Sequence, residues 1–393
     1  MPWYQSRGRI PRKRHTQFRK PDGGLYHEEV FGTEGFSGPY SILYHENPPP
    51  RVERYEPHSE VERQQWDDGN HRHRLLKTAA VAGGGDPVNS RRLLMYNDDV
   101  ALYFSRPTEG MGYFYKNADC DELHFVHEGS GRLDTIFGSV EVREGDYILI
   151  PRGCTHQWQL EGPARILIIE SHSPVETPHR YRNEYGQHME HSPYNERDMR
   201  PPAEVSPNGE EGIFQVRIKV NDRVMCYYYD FHPFDLVGWD GYLYPWALSI
   251  HDFEPITGRL HQPPPVHQTF AGRNYVVCSF VPRKLDYHPD AIPVPYNHSN
   301  IDSDEVIYYV AGEFGSRRGV EIGAITVHPR GIPHGPQPGA VEAGIGKEFT
   351  NELAVMVDTF RPLKMAEGAR ELDDPSYPFS WQEKKGQREG FIA

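Results

Sequence analysis

Cysteine is scarce in this chain: four in 393 residues (Cys120, Cys154, Cys226, Cys278), with no Cys-x-x-Cys pair. A disulfide framework and a thiolate zinc site are thereby excluded as organising elements of the fold. No stretch approaches the ~20 apolar residues that a membrane-spanning helix needs. Positive charge is in deficit, with 42 Lys and Arg against 56 Asp and Glu and a net charge of −14. That balance disfavours nonspecific binding to nucleic acid or to anionic lipid. The one basic run, Arg12-Lys13-Arg14-His15 through Arg19-Lys20, reads as a solvated arm packed against acidic protein surface. No apolar segment opens the chain in the manner of a secretory leader, so a soluble cytoplasmic protein without nucleic-acid or membrane partners is expected. Gly-x-Gly-x-x-Gly, P-loop and Gly-x-Ser-x-Gly patterns are missing, which removes support for dinucleotide, phosphate-cradling and serine-nucleophile chemistry.

What is abundant points elsewhere. There are 37 Gly and 35 Pro, together with 18 Phe, 6 Trp and 24 Tyr: many turns, and enough large side chains for a core. Short apolar runs separated by turn residues at intervals of about 8–12 residues describe a β-sandwich or small barrel rather than a helical protein. Twenty-one histidines is a high count, and histidine is the commonest metal ligand. His71 and His73, set among Asn70, Arg72 and Arg74, read as exposed loop.

An internal repeat organises the chain. Glu122-Leu-His-Phe-Val-His-Glu-Gly129 is followed by Gly145-Asp-Tyr-Ile-Leu-Ile-Pro151-Arg152-Gly153-Cys-Thr-His156. Later, Glu305-Val-Ile-Tyr-Tyr-Val-Ala-Gly312 is followed by Gly323-Ala-Ile-Thr-Val-His-Pro329-Arg330-Gly331-Ile-Pro-His334. Both copies obey Glu-x6-Gly and then Gly-x5-Pro-Arg-Gly-x2-His. The first element is a strand from a carboxylate to a turn glycine; the second is a strand, a rigid turn, and a histidine opening the next strand. Neighbouring strands can thereby aim a carboxylate and an imidazole at one interior point.

This pattern resembles the cupin family of jelly-roll β-barrels, and two copies make a bicupin. The expected fold is all-β, two cupin barrels with an irregular N-terminal arm. Its expected divisions are arm 1–90, degenerate first barrel 91–172, polar linker 173–212, metal-binding second barrel 213–365 and polar tail 366–393. Cupins draw further metal ligands from just before the Glu, where the second copy has His298 and, at the place of a frequent second histidine, Asn300. The resemblance therefore implies a metal set of His298, Glu305 and His334, two imidazoles and one carboxylate, as used for Fe(II) with open positions for substrate and O2. In the first copy Tyr115 stands at the place of His298, leaving Glu122 and His156, too few for tight binding.

Over nearly its full length the chain also resembles the homogentisate 1,2-dioxygenase family. The resemblance is carried by Leu25-Tyr26-His27-Glu28-Glu29, Leu43-Tyr44, Asp235-Leu-Val-Gly-Trp239-Asp240-Gly241, and His328 through His334-Gly335-Pro336. It implies ring cleavage of homogentisate by O2 to 4-maleylacetoacetate in tyrosine and phenylalanine breakdown, with Fe(II), in a homo-oligomer (trimer or hexamer). It further implies an acid–base role for Asp240, where better-known members have histidine, and a pocket role for His328. Phe314, where the family has a substrate-holding tyrosine, and Tyr309 are implied at the substrate. Asp240-Gly241 is equally an ordinary turn signal. His261 and His267, flanking Pro263-Pro264-Pro265, either line the barrel mouth or belong to a rigid surface loop. Competing readings are a bicupin dioxygenase for a gentisate- or hydroquinone-like ring, a metal-dependent sugar isomerase, and a non-catalytic metal-binding cupin.

Overall fold

The computed structural model describes residues 3–317 and 319–382. It is all-β: among these residues the only α-helix is the single turn Ala340–Gly344. The chain forms two compact units, one of residues 1–64, 82–94 and 98–252, the other of 65–81, 95–97 and 253 onward.

The first unit contains eight consecutive antiparallel strands: β1 (Val100–Ser105), β2 (Phe114–Asn117), β3 (Asp121–Glu128), β4 (Gly131–Thr135), β5 (Gly138–Val142), β6 (Asp146–Ile150), β7 (His156–Leu160) and β8 (Arg165–Ser171). They pair as β1-β8-β3-β6 in one sheet and β2-β7-β4-β5 in the other. That order is the jelly roll, in which each sheet takes alternate members of two Greek keys. Runs such as Tyr147-Ile-Leu-Ile150 are buried along their whole length, as strands covered on both faces must be. The turn glycine of the repeat has a physical reason in both copies. Gly129 and Gly312 adopt φ of 103° and 85°, a left-handed region that side chains rarely enter.

The sequence-based divisions need correction. Residues 213–252 belong to the first unit: Phe214–Val220 runs parallel to β2, and Leu236–Gly241 pairs with Tyr40–His45 and Gln5–Gly8. The arm 1–90 is only partly irregular, because His27–Gly32, Tyr40–His45 and Arg54–Glu60 are strands and Arg74–Leu76 joins the second unit. Short strands resume at Phe214 after the linker, and periodicity does not say which sheet a strand enters. The tail beyond 382 lies outside the described residues.

In the second unit, β9 (Gln268–Gly272), β10 (Tyr275–Phe280), β11 (Asp304–Ala311), β12 (Ile325–His328) and β13 (Leu353–Thr359) form a sheet of order β9-β10-β13-β11-β12, closed at the β12 edge by Arg74–Leu76. The segment β10-β13-β11-β12 repeats β1-β8-β3-β6 of the first barrel. The opposing face differs. Where the first barrel has the β2–β7 pairing Tyr115↔His156, the second has an isolated bridge, His298↔His334, and nearby the two-residue pair Arg283–Lys284 with Phe349–Thr350. Pro263, Pro264, Pro265, Pro293, Pro295, Pro333 and Pro336 fall in this region; lacking N–H donors, they cannot sustain a ladder. The barrel is thus regular on one face and loop-built, with a cavity, on the other.

Candidate metal centre

Strand β11 begins at Asp304 and alternates, so that Glu305, Ile307 and Tyr309 face one side and all three line the cavity. On β13, Ala354 and Met356 line it too. The isolated bridge brings the histidines in from the loop face: each of His298 and His334 donates its main-chain N–H to the other's carbonyl, at 2.8 and 2.9 Å. Each imidazole places Nδ1 toward a carbonyl two residues earlier, Tyr296 at 3.1 Å and Ile332 at 3.4 Å. Both Nε2 atoms therefore turn to the Glu305 carboxylate, 3.5 Å from His298 and 3.4 Å from His334. The three candidate ligand atoms lie within 4.8 Å of one another.

This donor set suits a divalent transition metal. The His334 Nε2 is buried and makes no hydrogen bond, an orphan lone pair that a metal would occupy. Burial alone would raise the Glu305 carboxyl, but the surrounding imidazoles of His298, His328 and His334 hold it well below the ordinary carboxylate range. A carboxylate held toward its ionised form beside two Nε2 atoms is the donor composition of a two-histidine, one-carboxylate metal site.

His328 is placed differently from expectation. It is fully buried and absent from the cavity lining. Its Nδ1 lies 2.7 Å from Glu305 Oε1 and its Nε2 3.2 Å from the Tyr377 hydroxyl. Burial pushes its pKa down to about 3, so the ring is a neutral donor to the carboxylate. It contacts the Glu305 carboxylate from behind the cavity wall, where a group supporting a metal ligand would stand. Asp240 is also corrected: it sits on Leu236–Gly241 in the first unit, opposite Ile42 and Ser6, and accepts a 2.9 Å hydrogen bond from the Tyr4 hydroxyl. It does not line the cavity. Tyr309 and Phe314 do, ring centroids 4.5 Å apart, with the Tyr309 hydroxyl 3.1 Å from Thr326 Oγ1. His261 and His267 line the cavity as well, His267 buried.

Three residues escaped the sequence reading. His73 is buried, not exposed, its ring 5.5 Å from His328 and 5.9 Å from His334. Its neighbours Arg72 and Arg74 can enter the fold because Asp68 and Asp373 pair with both. Asp358 pairs with Glu305 across β11–β13, and burial, with the adjacent Glu305 charge, pushes it up to about 8. Arg317 lines the cavity wall. For Asp358 a signal existed: its counterpart across β3–β8 is Glu170, and both acids precede a hydroxyl residue at the end of the last barrel strand.

In the first barrel the same location is filled from within. Arg91 sets NH1 and NH2 each 2.8 Å from the Glu122 carboxylate and NH1 3.0 Å from Glu170. Lys219 bonds the far oxygen of Glu170, and His124 Nε2 lies 2.8 Å from Glu122. A guanidinium occupies the space between the carboxylates there.

Two jelly-roll barrels in tandem, one carrying a candidate three-residue metal set beside a cavity, define a bicupin. The chain belongs to the homogentisate 1,2-dioxygenase family: the family's N-terminal region, "Homogentisate 1,2-dioxygenase N-terminal", matches residues 44–250. Among relatives, a Saccharolobus solfataricus protein named "Putative dioxygenase SSO1533" is 46% identical over 97% of this chain and 99% of its own length. The homogentisate 1,2-dioxygenase of Emericella nidulans is 26% identical over 85% of this chain and 70% of that enzyme. That of Nitrobacter hamburgensis is 26% identical over 69% of this chain and 62% of its own length. Among solved structures, a cupin 2 conserved barrel domain protein from Leptotrichia buccalis is similar at a TM-score of 0.34 and 10% identity, covering 74% of this chain and 98% of that one. Among the described residues no helix is long and apolar enough to cross a membrane.

Proposed function

We propose that the protein is an Fe(II)-dependent ring-cleaving dioxygenase that converts homogentisate and O2 to 4-maleylacetoacetate. The observation that carries the reading is the His298–Glu305–His334 set, of which His298 and Glu305 line a cavity of about 1030 Å³, its open mouth included. Fe(II) held there supplies open positions for a phenolate and O2 and the reducing character to join them. The chain's own contributions are distinct. His328, its other ring nitrogen partnered by the Tyr377 hydroxyl, holds the Glu305 carboxylate in orientation. Tyr309, Phe314 and Met356 present an apolar wall that positions an aromatic ring and excludes water. With Asp240 elsewhere, His261 and His267 are the lining imidazoles outside the metal set. As in the family resemblance, the protein is proposed to work as a cytoplasmic homo-oligomer, trimer or hexamer, in tyrosine and phenylalanine breakdown.

A second reading, a gentisate- or hydroquinone-like substrate, is favoured by one observation: Phe314 offers no hydroxyl to a substrate where a tyrosine was implied. The test is O2 uptake by Fe(II)-loaded protein with homogentisate, with the ring-opened product measured in parallel. One O2 consumed per product formed supports the proposal. Bound iron without uptake moves the substrate to another dihydroxy-aromatic, and failure to bind metal returns the protein to a non-catalytic cupin.

A further inference from the structure

Two guanidinium groups line the cavity, and they are not equivalent. Arg283 is already neutralised, its NH2 2.8 Å from the Glu352 carboxylate and its Nε 2.8 Å from Gln262. Arg317 has no carboxylate within ion-pair distance among the described residues. Its NH1 donates to the carbonyls of Gly335 and Ser316. Its Cζ lies 5.7 Å from the centre of the Trp381 ring, and the hydroxyls of Tyr309 and Tyr377 are neighbours. Its Nε is buried and makes no hydrogen bond. A guanidinium stays charged at any physiological pH and offers a planar fork matched to a carboxylate. The charge nearest it is the Glu305 carboxylate, which lies beyond ion-pair distance and which a bound metal would engage; a part-buried guanidinium with a donor unused there favours the arrival of an anion. The Gly335 carbonyl that Arg317 grips belongs to the residue after His334, so the free donor is fixed relative to the metal set. The wall around it is aromatic.

We propose that Arg317 is the anion anchor of this site, receiving the carboxylate of an aromatic acid whose ring lies against Tyr309 and Phe314 and whose ring oxygen faces His298, Glu305 and His334. This rests on the proposed ring-cleaving function and deepens it, because it makes the negative charge, not only the dihydroxy ring, a requirement of the substrate class. A hydroquinone lacking the carboxylate leaves the Arg317 donor unpaired and binds poorly.

The test is calorimetric titration of metal-loaded protein without O2, at pH 7, with 2,5-dihydroxyphenylacetate and with the neutral 2-methylhydroquinone. Wild type is expected to prefer the acid by at least about 10-fold. Arg317→Met should weaken acid binding by about 10- to 100-fold, the range for hydrogen bonds to a charged group, and leave the neutral compound within about 3-fold. Arg317→Lys, which keeps a charge without the fork, should restore part of the preference. Bound metal per chain, measured on each variant, should be unchanged. Equal binding of the two compounds by wild type, acid binding unaltered in Arg317→Met, or parallel loss of both compounds together with the metal would each overturn the anchor. Acid-selective binding abolished by Arg317→Met without ring cleavage by wild type would retain the anchor and refute homogentisate cleavage as the function. Cleavage with no Arg317-dependent preference would do the reverse.

Discussion

Replacing Gly335 by alanine tests whether the bridge between the two histidines sets the metal site. A Cβ at this position would stand 2.7 Å from the Asn297 Cα and 2.1 Å from its Oδ1. The side-chain oxygen can swing away; the Cα cannot move without carrying His298, the next residue. Ordinary contact begins near 3.4 Å, so the segment holding His298 must retreat by about 0.7 Å from the one holding His334. Metal–ligand distances tolerate only about ±0.2 Å. The expected consequence is a loss of metal affinity of about 10- to 100-fold, comparable to losing a group that supports a ligand. Competition against a fluorescent chelator measures it, with far-UV circular dichroism confirming that the strands persist. If G335A protein with native dichroism binds metal as tightly as wild type, the backbone bridge does not determine the spacing of the imidazoles.

Glu305→Ala should eliminate metal binding, whereas Glu122→Ala should leave metal per chain unchanged and lower stability alone. Equal metal loss in the two variants, by elemental analysis, would refute a single metal-binding barrel. Arg91→Met leaves Glu122 and Glu170 buried without their guanidinium. Breaking a buried pair in this way costs about 3–5 kcal/mol, a fall in melting temperature of about 6–20 °C for a unit of this size. The Glu122 carboxyl is held well below its ordinary value despite burial, Arg91 being the foremost cause. Its stabilisation is thus present above the unfolded value near 4.3 and in wild type is lost only as pH falls through the depressed folded value. In the variant the same carboxyl is raised, so the gap between the proteins is widest at neutral pH and narrows as pH drops below about 5. A gap independent of pH in thermal melts would contradict this account.

The repeat was the legible part of the chain. Its fixed positions predict Glu305 at the head of β11, His334 after a Pro-Arg-Gly turn, and the turn glycines at Gly129 and Gly312, because each depends on local geometry that a spacing can encode. His298 followed from its distance to Glu305, and the structure does bring the three together. What was not legible depended on distant pairing. Asp240 follows a Trp in a segment that could face either barrel, and only the pairing with Ile42 and Ser6 decides. His73 looks exposed in a charged stretch until Asp68 and Asp373 are seen to pair with its arginines. Arg317 carries no motif at all; its significance is its place on the cavity wall with Nε left over, which no sequence displays. Asp358 could have been found by extending the repeat to its final strand.

The Arg91 guanidinium has a consequence for how the two halves of the chain depend on the cell. The first barrel is made complete: its cation is encoded in the gene, arrives in fixed proportion with every translated copy, and cannot be chelated, exchanged or oxidised away. The second, on the proposed reading, would take its cation from the surrounding metal pool. On that reading, starving the cell of iron would leave one half of each molecule finished and stable, and set the activity of the other by supply alone.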